Sequence, residues 1–113
     1  MKRPRRVKIG AYWYTIKYSK QVEDRCVGMC FHHAKSIRIQ SDLSLRMLAQ
    51  VLLHEIMHGI YYEYGLTNSE QSDADNAAGM VHEEAAVNGI SAGIMQVLVD
   101  NPGFRRFLVA ASR

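Results

Sequence analysis

The sequence predicts an α+β domain, a small antiparallel sheet packed on two helices, and three observations carry that reading. Residues 7–40 hold short runs of β-branched and aromatic residues bounded by turn formers. Residues 45–64 and 77–99 are two Pro-free, apolar stretches of helical length. The chain has 113 residues, 48% hydrophobic and 22% charged, which is enough for one modest core and too little for two.

Taken in order, Val7-Lys8-Ile9 and Tyr12 to Tyr18 read as a hairpin turning at Gly10-Ala11. Trp13 and its tyrosine neighbours are expected to pack against a helix rather than to form a stacking platform for bases. After a polar connection, Ser19 to Arg25, the segments Cys26 to Phe31 and Ser36 to Gln40 read as antiparallel strands joined through His32-His33-Ala34-Lys35. Ile37 and Ile39 alternate with Arg38 and Gln40, the pattern of a strand with one wet face. Ser41 to Ser44 supplies capping side chains for a helix from about Leu45 to Tyr64, and Gly65 suits the left-handed position after its end. Leu48, Leu52, Ile56 and Ile60 form the stripe that docks on the sheet. Leu66 to Asn76 is polar and turn-prone, a surface loop whose functional version is a lid. A second helix follows from about Ala77 to Val99 and stops at Asp100-Asn101-Pro102-Gly103. Gly89 and Gly93 within it cost about 1 kcal/mol each relative to Ala, which close approach to the first helix explains. Phe104, Phe107, Leu108 and Ala111, with Arg105 and Arg106 outside, make a short terminal amphipathic turn or helix.

The net charge of +3 is unevenly spread. Lys2, Arg3, Arg5, Arg6 and Lys8 carry five of the fourteen cations, leaving nine against eleven carboxylates, or −2, for the body. Residues 1–6 therefore read as a basic flexible arm and 7–113 as the single domain. Val7 to Lys20 is interrupted by polar groups and is no signal-peptide core, and no run of 18 apolar residues exists to span a membrane. A cytoplasmic location is expected. Cys26 and Cys30, in an extended segment, stand roughly 13 Å apart, beyond disulfide reach, and are expected as free thiols. A zinc knuckle from Cys26, Cys30, His32 and His33 requires a turn at Gly28.

The first helix carries His54-Glu55-Ile56-Met57-His58. Residues four apart on a helix differ by about 40° in direction and roughly 6 Å in height, so two imidazoles at that spacing can close on one metal ion. Glu55, about 100° from His54, is placed to reach a water held by that ion rather than the ion itself. This is the HExxH arrangement of a zinc hydrolase. Such a site takes a third protein ligand. Tyr61 and Tyr64 occupy the positions where an HExxHxxGxxH site has Gly and His, which excludes that class. Candidates that remain are His32, His33, Cys26, Cys30, Asp73, Asp75, His82, Glu83 and Glu84. On a helical projection of the second helix, Glu84 and Glu83 flank the buried direction on opposite sides, so one of them can point inward and periodicity does not say which.

His54-Glu55-Ile56-Met57-His58, followed by Glu84-Ala85-Ala86-Val87-Asn88, resembles the HExxH and ExxAN-type signatures of ImmA/IrrE-like metallopeptidases, a group of the gluzincin class. The likeness to small phage and prophage metallopeptidases of that group covers roughly residues 25–108. It implies a minimal zincin-like domain, with the sheet beneath an HExxH active-site helix and a second, glutamate-bearing helix. It also implies Zn2+ as cofactor, His54, His58 and Glu84 as its ligands, Glu55 as general base, and a bacterial host cytosol as the place of action. A peptide or protein is then the substrate, received as an added strand along Ser36 to Gln40. Asn88 is a possible hydrogen-bond partner of the ligand glutamate, and Tyr61, Tyr62, Tyr64 and His82 are candidates for stabilising the oxyanion. Two other readings stay open: a catalytically silent zinc-containing regulator that binds a protein partner, and a nucleic-acid-binding protein that uses the basic N-terminal arm.

Overall fold

The computed structural model describes residues 2–22, 26–66 and 76–113; within 76–87 it describes the backbone, and among side chains only that of Ala86. The chain runs β1 (Arg6–Ile9), β2 (Tyr12–Ser19), β3 (Gly28–Phe31), β4 (Ser36–Gln40), α1 (Leu45–Glu63), α2 (Asn76–Asp100) and α3 (Pro102–Ala111). It is a small α+β domain with one four-stranded sheet in the order β1-β2-β4-β3.

The two expected hairpins form, β1 with β2 and β3 with β4, and both are antiparallel. The first turns tightly at Gly10, whose φ of +61° is the conformation that glycine supplies in two-residue hairpin loops. The fully antiparallel sheet expected from the sequence is corrected: β2 and β4 are parallel, with Ile16 opposite Ile37 and Tyr18 opposite Ile39. The sheet is mixed because the second hairpin joins through its later strand. The reason lies in the side chains. Ile37 and Ile39 are wholly buried and suit a central strand, whereas β3 carries Gly28 and suits an edge.

One face of the sheet is apolar. Val7, Ile9, Tyr14, Ile16, Ile37 and Ile39 project from it into a single core with Leu48, Leu52, Ile56 and Ile60 of α1, Val97 of α2, and Phe104 and Phe107 of α3. The predicted docking stripe of α1 is thus buried throughout. At the start of α1 the Ser44 hydroxyl accepts from the Met47 N–H at 3.3 Å. At its end Gly65, with φ +69°, lets the Gly65 and Leu66 N–H groups donate back to the Tyr62 and Tyr61 carbonyls, closing a Schellman motif. Gly93 lies against α1 as its helical position predicts: a Cβ there would stand 2.4 Å from Ile60 Cγ2.

The outer edge of β1 is covered by a side chain. Asn101, between α2 and α3, accepts from the Lys8 N–H at 2.9 Å and donates to the Lys8 carbonyl at 3.0 Å. Pro102 then opens α3, where its missing N–H costs nothing. Of the basic arm, Arg6 belongs to β1, the Arg5 carbonyl accepts from the Ile16 N–H, and the Pro4 carbonyl accepts from the Tyr18 hydroxyl.

A polar group also penetrates the core. Glu63 accepts from the Tyr14 hydroxyl at 2.5 Å and pairs with Lys35, whose ammonium lies over the Tyr12 and Tyr62 rings. Burial and the Glu63 carboxylate push the Tyr14 phenol well above its usual range, and burial pushes that of Tyr18 up to about 12. Both phenols therefore ionise less readily folded than unfolded. Their contribution to stability is complete below pH about 10 and is lost as pH rises from there through the folded values. Thermal melting followed from pH 8 to about 12 is expected to show a falling Tm above pH 10, and a shallower fall in Tyr18→Phe.

Among the described residues, no helix is long and apolar enough to cross a membrane.

Candidate metal centre

Helix α1 carries His54 and His58 one turn apart on its exposed side, and their Nε2 atoms approach to 3.2 Å. Two nitrogens held about 2.0–2.1 Å from one ion at a near-tetrahedral angle would stand about 3.3 Å apart. The rings are inclined at 77°, with centroids 4.8 Å apart. Two neutral imidazoles that meet through the same nitrogen can share one proton at most, whereas a cation satisfies both lone pairs. The donor set therefore fits a divalent metal.

Glu55, about 100° round the helix from His54, faces strand β3 and is 7% exposed. Burial raises its pKa, and the His54 and His58 rings oppose that rise. The carboxylate lies against strand β3: a Cβ on Gly28 would stand 3.1 Å from Glu55 Oε2 and 2.7 Å from Val51 Cγ1. Gly28 is where strand and helix come close enough for the carboxylate to lie at the sheet edge. In the sequence this glycine reads as a possible turn. A glycine inside a strand pattern signals close backbone approach equally well.

Among the described residues, strand β3 is an edge of the sheet, paired on one side only. Val27 accepts from the Gln40 N–H, and in the antiparallel register this turns the Gly28 and Cys30 backbone groups away from β4. The expected substrate edge, Ser36 to Gln40, is thereby corrected, since β4 is paired on both sides and has no free N–H or C=O row. Beside His54 and Glu55, Val27, Met47, Gln50 and Val51 border a mostly apolar hollow of about 320 Å³.

The β3–β4 turn contributes a contact that no sequence pattern announced. His32 stacks on Tyr62, with centroids 4.4 Å apart and planes within 3°, while His33 meets the same ring edge-on. Tyr62 lies one turn beyond His58, so the line His54, His58, Tyr62 continues into His32. Burial and the neighbouring His58 lower the pKa of His32.

The alternative of a zinc knuckle, which requires a turn at Gly28, meets instead a strand that begins there, and its four residues are brought together only in part. Cys30 Sγ lies 3.7 Å from His32 Nδ1, Cys26 is exposed, and both cysteines are free thiols. Burial, with the Glu55 and Glu63 carboxylates, pushes the Cys30 thiol up to about 12, so it is a protonated thiol at neutral pH. Among the described residues, no three His, Cys, Asp or Glu side chains converge on one point. The candidate third ligands Glu83 and Glu84, and His82, belong to α2, but their side chains lie outside the described residues, as do Asp73, Asp75 and most of the expected lid loop. Asn88 is exposed, and Tyr64 forms the C-cap of α1.

No family model matches the chain, and neither a curated protein nor a solved structure matches it.

Proposed function

We propose that the chain is a zinc-dependent peptidase of the minimal gluzincin kind, with His54, His58 and Glu84 as metal ligands and Glu55 as general base. The observation that carries this reading is the convergence of the two Nε2 atoms at 3.2 Å beside a buried carboxylate. When bound, Zn2+ would acidify a water and polarise the scissile carbonyl. Glu55 takes the proton of the attacking water and delivers it to the leaving amine. Its burial against Gly28 and Val51 keeps bulk water from competing for the carboxylate and holds its pKa nearer the working pH.

Substrate is taken as an extended peptide that pairs with the free Gly28 and Cys30 backbone groups of β3. The hollow bordered by Val27, Met47 and Val51 would take an apolar side chain next to the cleaved bond. Tyr62, stacked on His32 one turn beyond His58, is our choice of oxyanion donor among the described candidates.

Hydrolysis of unfolded casein by the purified protein, abolished by a chelator and restored by zinc, tests the reading. Zinc retained with no turnover against unfolded or peptide substrates would instead favour a silent regulator. Gly28→Ala is a finer probe. Its methyl group would displace the Glu55 carboxylate or push β3 off the helix, and a misplacement of about 1 Å costs on the order of 100-fold in rate. Activity is expected to fall to that extent while zinc content stays unchanged, measured by kcat/KM beside elemental analysis.

A further inference from the structure

The sheet has a second face, opposite the helices, and its chemistry is different. Alternation along the strands puts Arg6 and Lys8 of β1, Trp13, Thr15 and Lys17 of β2, Ser36 and Arg38 of β4, and Phe31 of β3 on that side. Arg6, Thr15, Lys17 and Arg38 are exposed, and Trp13, expected to pack on a helix, is 46% exposed instead. Its phase in β2 is opposite to that of the buried Tyr14 and Ile16.

The charge is of one sign. No Asp or Glu occurs in residues 1–22 or 26–41, so all four strands lack carboxylates, and among the described residues this face is purely cationic. Lys17 is in register with Arg38 of the neighbouring parallel strand, so two like charges stand side by side on this face, an arrangement that an anion would relieve. Guanidinium groups lie over both aromatic rings, Arg6 at 4.1 Å from Trp13 and Arg38 at 5.4 Å from Phe31. Past Trp13 the arm borders a groove of about 640 Å³, lined by Arg106 of α3 and also by the Asp100 carboxylate, so the one-sign surface is that of the strands themselves.

We propose that this helix-free face binds single-stranded nucleic acid, at a site separate from the metal centre. Cations that track a phosphate backbone, interleaved with aromatic rings and guanidinium planes on which bases stack, are the two elements of such recognition. Strand spacing sets Trp13 and Phe31 about 12 Å apart across the sheet, so two bases can stack on the two rings without crowding. Unpaired strands are favoured over duplex because stacking on a flat sheet needs exposed base faces, which a duplex hides within its own stack.

Trp13 is the only tryptophan, so its fluorescence reports directly on the face. Titration with an oligothymidylate of about 12 nucleotides at low salt is expected to quench it. Log affinity should fall with log salt at a slope of about −3, from about −0.7 for each of four neutralised phosphates. By fluorescence anisotropy of labelled oligonucleotide, Lys17→Gln/Arg38→Gln should weaken binding at least about tenfold and flatten the slope. Trp13→Ala should weaken it about 5- to 100-fold. These side chains are exposed, and unchanged circular dichroism and thermal melting would establish that the variants fold. Absence of quenching would overturn the proposal. So would wild-type affinity in Lys17→Gln/Arg38→Gln with all loss in Lys2→Gln/Arg3→Gln, which would assign binding to the arm alone. Tighter binding to a duplex of the same length, or to phosphatidylserine vesicles, would overturn it as well.

Discussion

Glu55→Gln is expected to keep its zinc and to lose peptide hydrolysis by about 10²–10⁴-fold, the usual contribution of a positioned general base. The substitution is nearly isosteric, so the buried site beside Gly28 and Val51 is refilled without a cavity. The amide has nearly the same shape but cannot accept and carry a proton, and it lacks the carboxylate charge. Because Glu55 lies about 100° round α1 from His54, its loss leaves the two imidazoles where they are. Metal content and activity should therefore separate. A Glu55→Gln protein with unchanged kcat/KM would end the proposed mechanism, even if the zinc site itself stood.

Ile60→Ala is expected to destabilise the fold by about 2–5 kcal/mol, a large share of the stability of so small a domain. Ile60 is wholly buried and lies where α2 crosses α1. Gly93→Ala attacks the same point from the other side: its Cβ would stand 2.4 Å from Ile60 Cγ2 and 3.3 Å from Tyr64 Cε1. Overpacking of this kind costs about 1–3 kcal/mol, while the better helix propensity of Ala returns about 1 kcal/mol, so the single change is net destabilising. Combined, the two substitutions should be less damaging than their sum, because the new methyl group enters the space that Ile60 vacates. Urea unfolding of the four proteins of this cycle measures the coupling. Simple additivity would mean that the helices do not meet at Gly93 as described.

Much of this molecule is legible from local pattern. The spacing of Leu48, Leu52, Ile56 and Ile60, with Ser44 before them and Gly65 after, defines α1 because a helix repeats its burial and marks its ends. The alternation of Ile37 with Arg38 defines β4 in the same way. What local pattern does not contain is which strand pairs with which. Gly28 and the isoleucines of β4 are consistent with β3 outside and β4 inside, but they do not name β2 as the neighbour of β4, and that long-range choice decides the parallel pair. Tyr12, Trp13 and Tyr14 are aromatic on both phases of the strand, so periodicity cannot tell which of them enters the core. Packing resolves it, with Tyr14 inside against Gly59 of α1 and bonded to Glu63, and Trp13 outside.

The same division holds at the candidate metal centre. His54 and His58 are readable because one helix places both, and helix geometry is known in advance. The approach of Glu55 to Gly28, the proximity of Cys30 to Glu55, and the stacking of His32 on Tyr62 each depend on β3 lying beside α1. Those neighbours come from tertiary register, which residue spacing does not encode.

The proposed chemistry depends first on one metal ion shared by two neighbouring imidazoles. Elemental analysis of purified protein, set beside His58→Ala, Glu84→Ala and Glu83→Ala, tests it most directly. The expected result is one zinc per chain in the wild type and in Glu83→Ala, with zinc lost from His58→Ala and Glu84→Ala at unchanged secondary structure. A wild-type chain that takes up no zinc, or a His58→Ala chain that keeps its full complement, would contradict it.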